Sequence, residues 1–242
     1  MKIIISSAHG LRVAGASGLI DEVTESRRVV KRVVEFLRSA SVDVIEFHED
    51  QATNATSNIN NIIAFHNAQG RDLDISVHFN SATGGTREEG IGVEVCYFAG
   101  NSETKTIAQS VAEAISGVSG LILRHNPGGP RDNGAYPRSN VAFLNRTNKP
   151  AILIEVCFVM SRTDVRLYQE NFDAICLAIA ERISGMEIIK TPPQPTEHWA
   201  EPSYKYLTET AGIQINERRF GDPMTRGEVF AMMERLHKSL KQ

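Results

Sequence analysis

The stretch PAILIEVCF, residues 150–158, is a run of mostly apolar residues that contains a single carboxylate, Glu155. A short apolar run of this kind, bounded by turn residues, is typical of a strand. Through about residue 185, further short apolar runs alternate with longer amphipathic ones. Strands that alternate with helices predict an α/β fold: a central, mostly parallel twisted sheet flanked by helices.

The predicted strands are Lys2–Ser6, Val42–Phe47, Leu73–Val77, Ile91–Phe98 and Ala151–Val156. The predicted helices are Val23–Ala40, Ser57–Ala68 with Ser57 as its cap, Glu103–Ser116, and Asp164–Ser184. Two of the connecting loops, residues 80–92 and 124–138, are rich in glycine and proline. Loops of this length are either functional or mobile.

A proline-rich segment separates this pattern from the end of the chain. The heptapeptide KTPPQPT carries three prolines, which favours a semi-rigid, extended linker. We therefore predict a larger domain over residues 1–186, a linker over 187–196 and a small α-helical module over 197–242. Two helices are predicted in the module, one over residues 202–211 and one that begins with a capping box at Thr225.

The composition excludes several classes of protein. The 242 residues include 26 Lys or Arg and 29 Asp or Glu, and 41% are hydrophobic. The net charge of −3 argues against a nucleic-acid partner, and the hydrophobic content argues against a disordered chain or a coiled coil. Cys96, Cys157 and Cys176 are too scattered for a disulfide framework and are expected to be buried thiols. The start of the chain, MKIIISSAHG, has no apolar core of signal-peptide length, so we expect neither an export signal nor a membrane partner.

Three ionisable residues follow or interrupt predicted strands. His9 and His78 lie at the carboxyl ends of two strands, and Glu155 lies near the end of a third, where parallel sheets bind their ligands. Two imidazoles and a carboxylate suit Zn²⁺, with Glu22 or Glu25 at the start of the first helix as the third ligand. Glu155 would then be the general base. These residues also have purely structural explanations. A histidine at a strand end can be a hydrogen-bonded structural residue, and a carboxylate at the start of a helix is favoured by the helix dipole. The other histidines show no ligand spacing and are expected at the surface: His48, His66, His125, His198 and His237.

At these residues the chain resembles the zinc-dependent N-acetylmuramoyl-L-alanine amidases of the amidase-3 family. Four motifs in order carry the resemblance: the turn SAHG with His9, the helix start with Glu22, the strand end SVHFN with His78, and PAILIEVCF with Glu155. Members of the family usually have glycine at the positions held here by Ala8 and Cys157, neither of which would supply a metal ligand. The resemblance covers roughly residues 1–185.

The resemblance implies an enzyme that hydrolyses the amide between N-acetylmuramic acid and the L-alanine of the peptidoglycan stem peptide. It implies Zn²⁺ held by His9, Glu22 and His78, with Glu155 as the catalytic base. Glu22 fits the family better than Glu25, because the apolar positions that follow it in the helix coincide with the family's own. Two alternatives stay open: another zinc peptidase of similar α/β fold, and a non-catalytic wall-binding protein.

The tail resembles a single surface-layer-homology-like unit, in EHWA at residues 197–200 and PMTRGE at residues 223–228. This implies that it binds a bacterial cell-wall polymer. The alternative is a helical appendage that packs on the enzyme, or on a second copy to make a homo-oligomer through residues 197–242. An amidase without a signal peptide fits a bacteriophage or prophage endolysin, made in the host cytoplasm and reaching the wall after holin-type release.

Overall fold

The computed structural model describes residues 1–124 and 133–188, together with the isolated positions Tyr206 and Lys238. The chain divides into two compact units, Met1–Ile189 and Lys190–Gln242, and the first carries the fold described below. The predictions for the linker and the helical module lie almost wholly outside the described residues. They therefore stay predictions.

The strands of the first unit are β1 (Lys2–Ser7), β2 (Asp43–Phe47), β3 (Leu73–Asn80), β4 (Glu94–Phe98), β5 (Ala135–Arg138) and β6 (Ala151–Phe158). Its helices are α1 (Glu22–Ser39), α2 (Ala55–Ala68), α3 (Ser102–Ser119), α4 (Ala142–Arg146), α5 (Arg162–Glu170) and α6 (Phe172–Ser184). No helix in the described part of the chain is long and apolar enough to cross a membrane.

The six strands form one sheet in the order β2-β1-β3-β6-β4-β5. Strands β2, β1, β3 and β6 are parallel, which confirms the predicted mostly parallel sheet. Strand β4 runs antiparallel to β6, and β5 is parallel to β4. The sheet is therefore mixed. Because β4 is reversed, its first residue, Glu94, lies opposite Glu155, near the end of β6.

Successive side chains of β6 divide between two apolar clusters, as the pleat of a strand requires. Ile152 and Ile154 belong to the main cluster, which also contains side chains of α1, α3 and α6. Ala151 and Leu153 belong to a second cluster with side chains of α2 and α4. Glu155 continues the second series, so it lies on the same face of the sheet as Leu153.

The predicted long helix Asp164–Ser184 is two helices, α5 and α6, that meet at Asn171. Backbone φ and ψ at Asn171 are −117° and 21°, outside the helical range. Its side-chain Nδ2 donates to the carbonyl of Leu167 at 2.9 Å, so the amide satisfies a carbonyl at the end of α5. A tertiary contact also stabilises the break between α5 and α6, since the same nitrogen lies 3.5 Å from the carbonyl of Ser119 at the end of α3.

Other boundaries also differ from the predicted ones. Helix α2 is capped by the side chain of Asn54, not by Ser57, whose backbone N–H is the donor to that cap. Strand β4 begins at Glu94 rather than Ile91, because the N–H groups of Ile91 and Gly92 bond the carboxylate of Asp164. The predicted stop of α3 near Gly117 is also wrong, since the helix continues through Ser119.

The expectation of a surface position is wrong for His66. Its side chain is fully buried, and its Nδ1 lies 2.8 Å from the carboxylate of Asp74. Arg71 also bonds that carboxylate, so the three residues form a buried polar group beneath α2. His48 is half-buried beside Ser7. The three cysteines are buried thiols, as expected.

Candidate active site

The fold brings together three of the residues singled out in the sequence. His9 follows β1, Glu22 is the first residue of α1, and His78 lies in β3. Each offers one ligand atom, and these atoms all lie within 4.8 Å of one another. Residues far apart in the chain thus meet at the carboxyl edge of the parallel strands, where the sequence pattern placed them.

Glu22 lies between the two histidines and is almost completely buried. Its Oε1 is 3.0 Å from His78 Nδ1 and accepts the backbone N–H of Phe79 at 3.2 Å. Its Oε2 accepts the backbone N–H of Ala16 and lies 3.5 Å from His9 Nε2. Burial favours the neutral acid, but the hydrogen bond with His78, its charge and the Ala16 N–H outweigh it, and the pKa of Glu22 is lowered. The carboxylate is therefore held in its ionised form.

The two imidazoles respond differently to this carboxylate. Burial lowers the pKa of His9, and the charge of Glu22 offsets this only in part. Burial also favours neutral His78, but its hydrogen bond with Glu22 and the charge of Glu155 prevail and raise its pKa. The rings meet edge to face with centroids 5.7 Å apart. Together the three residues form a set of two nitrogen donors and one oxygen donor.

These residues fit a zinc ion. Two histidines and a carboxylate are a known ligand set of catalytic zinc. His9 Nδ1 is buried and has no hydrogen-bond partner among the described residues, so this side chain is incompletely satisfied by the protein. The loop between β1 and α1 closes tightly over the set. A Cβ atom at Gly15 would stand 2.6 Å from Glu22 Oε2 and 2.8 Å from His9 Cδ2.

Glu25, the alternative third ligand, makes different contacts. Its carboxylate accepts the hydroxyl of Tyr168 in α5 at 2.6 Å and bonds Arg28 within α1. It is not in the group that could hold a metal ion. Of the two carboxylates at the start of α1, the geometry places Glu22 with the histidines.

Glu155 lies in β6 between His78 of β3 and Glu94 of β4 in the sheet register. Its Oε2 is buried and has no hydrogen-bond partner in the described part of the chain. Burial raises the pKa of Glu155 to about 7; the charges of Glu22 and Glu94 add to this, and the charge of His78 opposes it. It lies outside the three-residue group. Glu155 can therefore exchange a proton near neutral pH.

Sequence reasoning missed Glu94. Only 1% of its surface is exposed, and it accepts hydrogen bonds from Asn80 Nδ2 at 2.8 Å and from Arg124 Nη1. The signal that identified Glu155, a carboxylate inside an apolar run, is present here too, in IGVEVCYF at residues 91–98. The two Gly- and Pro-rich loops predicted from the sequence supply these partners of Glu94. Asn80 is the first residue of one loop, and Arg124 is the first residue of the other.

A protein-family model described as N-acetylmuramoyl-L-alanine amidase matches residues 3–184. Two curated but uncharacterized proteins of Clostridium perfringens are also similar. One is 29% identical over 220 residues, which are 88% of this chain and 60% of the relative. The other, of 38.4 kDa, is 32% identical over 189 residues, 76% of this chain and 51% of the relative. The chain thus spans only about half to three fifths of the length of these relatives.

Solved structures share the fold. The catalytic domain of the CD27L endolysin, described as targeting Clostridia difficile, matches with a TM-score of 0.65 and 21% identity, over 78% of this chain and 99% of that one. The CwlD amidase of Clostridioides difficile, solved in complex with the GerS lipoprotein, matches with a TM-score of 0.64 and 19% identity, over 76% and 98% of the two chains. The family match runs from the second residue of β1 through the end of α6, and on that ground the chain belongs to the N-acetylmuramoyl-L-alanine amidase family Amidase_3.

Proposed function

We propose that the protein hydrolyses the amide bond between the lactyl group of N-acetylmuramic acid and the L-alanine of the stem peptide. The observation that carries this proposal is the site itself. Two histidines and a carboxylate converge within 4.8 Å, and the half-buried Glu155 lies beside them, with a buried Oε2 that has no hydrogen-bond partner among the described residues. Membership of the amidase family gives the reaction class.

His9, Glu22 and His78 would hold a zinc ion. When bound, zinc supplies a Lewis acid for the scissile carbonyl and lowers the pKa of a coordinated water. The protein fixes Glu22 in place through two backbone N–H groups, those of Ala16 and Phe79. This leaves the carboxylate little freedom to turn away from the two imidazoles, which is the preorganisation that a catalytic site requires.

Glu155 would act as the general base and then as the general acid. Its Oε2 would take a proton from the attacking water and return it to the nitrogen of the leaving L-alanine. A carboxyl group with a pKa of about 7 is suited to both steps at neutral pH, because neither protonation state is strongly favoured.

We further propose a wall-binding and endolysin role, which rests on the resemblances described above. Residues 197–242 would hold the enzyme on a cell-wall polymer, and the protein would be made in the host cytoplasm and reach the wall after holin-type release. Association of two chains through residues 197–242 is the competing role for the tail.

Mass spectrometry of digested muropeptides tests the reaction. The amidase should release intact stem peptides with a new L-alanine amino group, together with glycan strands whose muramic acid carboxylates are free. A chelator should abolish this release, and added zinc should restore it. Cleavage between two amino acids would instead identify a zinc peptidase. No cleavage by the zinc-loaded protein would favour a non-catalytic wall-binding protein.

A further inference from the structure

A group of charged and aromatic side chains lies beside Glu155 on the far side from the histidines. Glu94 of β4 is the cross-strand partner of Glu155. It pairs with Arg124 through a hydrogen bond, and Arg138 Nη2 of β5 lies 3.9 Å from its Oε1. The ring of Tyr136, also in β5, packs against both arginines. We call Glu94, Arg124, Tyr136 and Arg138 the cationic cluster.

The two guanidinium groups are held in place by aromatic rings. The guanidinium carbon of Arg124 lies 4.8 Å from the ring centroid of Phe158 and 5.4 Å from that of Tyr136. The guanidinium carbon of Arg138 lies 5.1 Å from the Tyr136 centroid. Stacking of this kind limits side-chain freedom and lowers the entropy lost when a ligand binds.

The cationic cluster carries more positive than negative charge. Two guanidinium groups share the one carboxylate of Glu94. The side chain of Glu94 is 2% exposed, whereas those of Arg124 and Arg138 are 28% and 39% exposed. The carboxylate is thus buried beneath the cations, and solvent reaches the arginines. A planar guanidinium presents paired donors that match a carboxylate.

The Tyr136 hydroxyl is an independent observation that points to a ligand-binding site here. Tyr136 is 4% exposed, and its hydroxyl oxygen is buried without a hydrogen-bond partner among the described residues. A buried hydroxyl that makes no hydrogen bond is costly and calls for an explanation. A ligand oxygen held between the two arginines would be an acceptor for it.

We propose that Arg124, Arg138 and the Tyr136 hydroxyl form a subsite for a carboxylate of the stem peptide, namely the free α-carboxylate of the residue after L-alanine. This inference rests on the proposed function and names the part of the substrate that the site selects. The subsite distinguishes a D-glutamate with a free α-carboxylate from its α-amide, D-isoglutamine.

The chemistry of the substrate assigns the peptide to this side of the site. The muramoyl group, once amide-linked, presents hydroxyl and acetamido groups and no charge, whereas the stem peptide carries carboxylates. The second residue lies close enough, since an extended dipeptide spans roughly 7 Å. Glu94 and Glu155 are neighbours on adjacent strands. With the scissile bond held beside Glu155, a carboxylate one dipeptide length away reaches the cationic cluster around Glu94.

Two synthetic substrates test the subsite. One is N-acetylmuramoyl-L-alanyl-D-glutamine, with a free α-carboxylate and a γ-amide that mimics the wall linkage; the other is its diamide, with no carboxylate. The wild-type protein should cleave the first with a kcat/KM about tenfold higher or more. The ratio should fall towards one in R138Q and severalfold in Y136F, because each variant removes a group that binds the carboxylate. Both variants leave the Arg124–Glu94 pair intact. The control is R32Q, which removes an arginine that stacks on Phe36 away from the site and should keep the wild-type ratio.

Each outcome decides the proposal. Equal kcat/KM for the two substrates in the wild-type protein, or a preference that R138Q and Y136F keep in full, would overturn the subsite. If neither substrate is cleaved, the proposed function fails, and calorimetric binding of L-alanyl-D-glutamine and of L-alanyl-D-glutamic diamide then decides the subsite alone. Binding about tenfold tighter for the carboxylate, lost in R138Q, would support it, and equal binding would refute it.

Discussion

Replacing Gly15 by alanine should weaken metal binding without replacing any proposed ligand. The new Cβ would stand 2.6 Å from Glu22 Oε2 and 2.8 Å from His9 Cδ2. Ordinary van der Waals contact begins near 3.4 Å, so the carboxylate would have to retreat by about 0.8 Å or the loop would have to lift. Metal–ligand distances tolerate only about 0.2 Å. We expect zinc affinity to fall by about 10–100-fold, the range seen when groups that orient ligands are lost.

Competition with a chromophoric chelator measures this affinity directly. Gly70→Ala is the matched control, because a Cβ at Gly70 meets nothing within 4 Å. Thermal unfolding of the metal-free proteins would show whether G15A has merely lost its fold. Zinc affinity equal to that of the wild-type protein, in a G15A variant that is folded, would refute the view that the loop clamps Glu22 against His9.

Three further predictions concern the base, a buried ion pair and the tail. Glu155→Gln should lower the rate of wall hydrolysis by about 10²–10⁴-fold while the zinc content stays at the wild-type level, and loss of the metal from this variant would make Glu155 a ligand instead. Asp74→Asn should lower the free energy of unfolding by about 3–5 kcal/mol in denaturant titrations, because Arg71 would be left buried without its carboxylate. Burial opposes ionisation of Asp74, but its hydrogen bonds with His66 and Arg71 lower its pKa below the unfolded value near 3.8. The stability advantage of the wild-type protein over D74N should therefore be constant above about pH 5 and shrink as the pH falls below about 4; an advantage that does not change with pH would count against this ion pair. Truncation after Lys190 should preserve hydrolysis of soluble muropeptides and slow the lysis of whole cells, and equal lysis by both chains would remove the wall-anchor role from the tail.

The positions of His9, His78 and Glu155 could be predicted from the sequence for two reasons. The carboxyl ends of parallel strands lie at the same edge of the sheet, and a carboxylate inside an apolar run is costly to bury without a partner or a function. The choice between Glu22 and Glu25 could not be made from spacing alone. Both lie in the first turn of α1, and what separates them is a distant partner, Tyr168, which engages Glu25. Only the tertiary fold supplies that partner.

The missed strand β5 and the missed role of Glu94 have physical causes as well. The sequence AYPR contains Pro137, which removes a backbone donor and argues against a central strand. Strand β5 lies at the edge of the sheet, where proline is tolerated. Glu94 carries the same signal as Glu155, but its partner Arg124 comes from a loop 30 residues away, and sequence periodicity does not reveal such a pairing.

The central claim is that His9, Glu22 and His78 hold the metal on which hydrolysis depends. Zinc content and muropeptide hydrolysis measured on the same samples of wild-type protein and His78→Ala test it most directly. The wild-type chain should carry one zinc ion, lose activity when zinc is removed and regain it when zinc returns, and H78A should lose zinc and activity together. An H78A protein that is fully loaded with zinc and active, or a wild-type protein that hydrolyses muropeptides without metal, would contradict the claim.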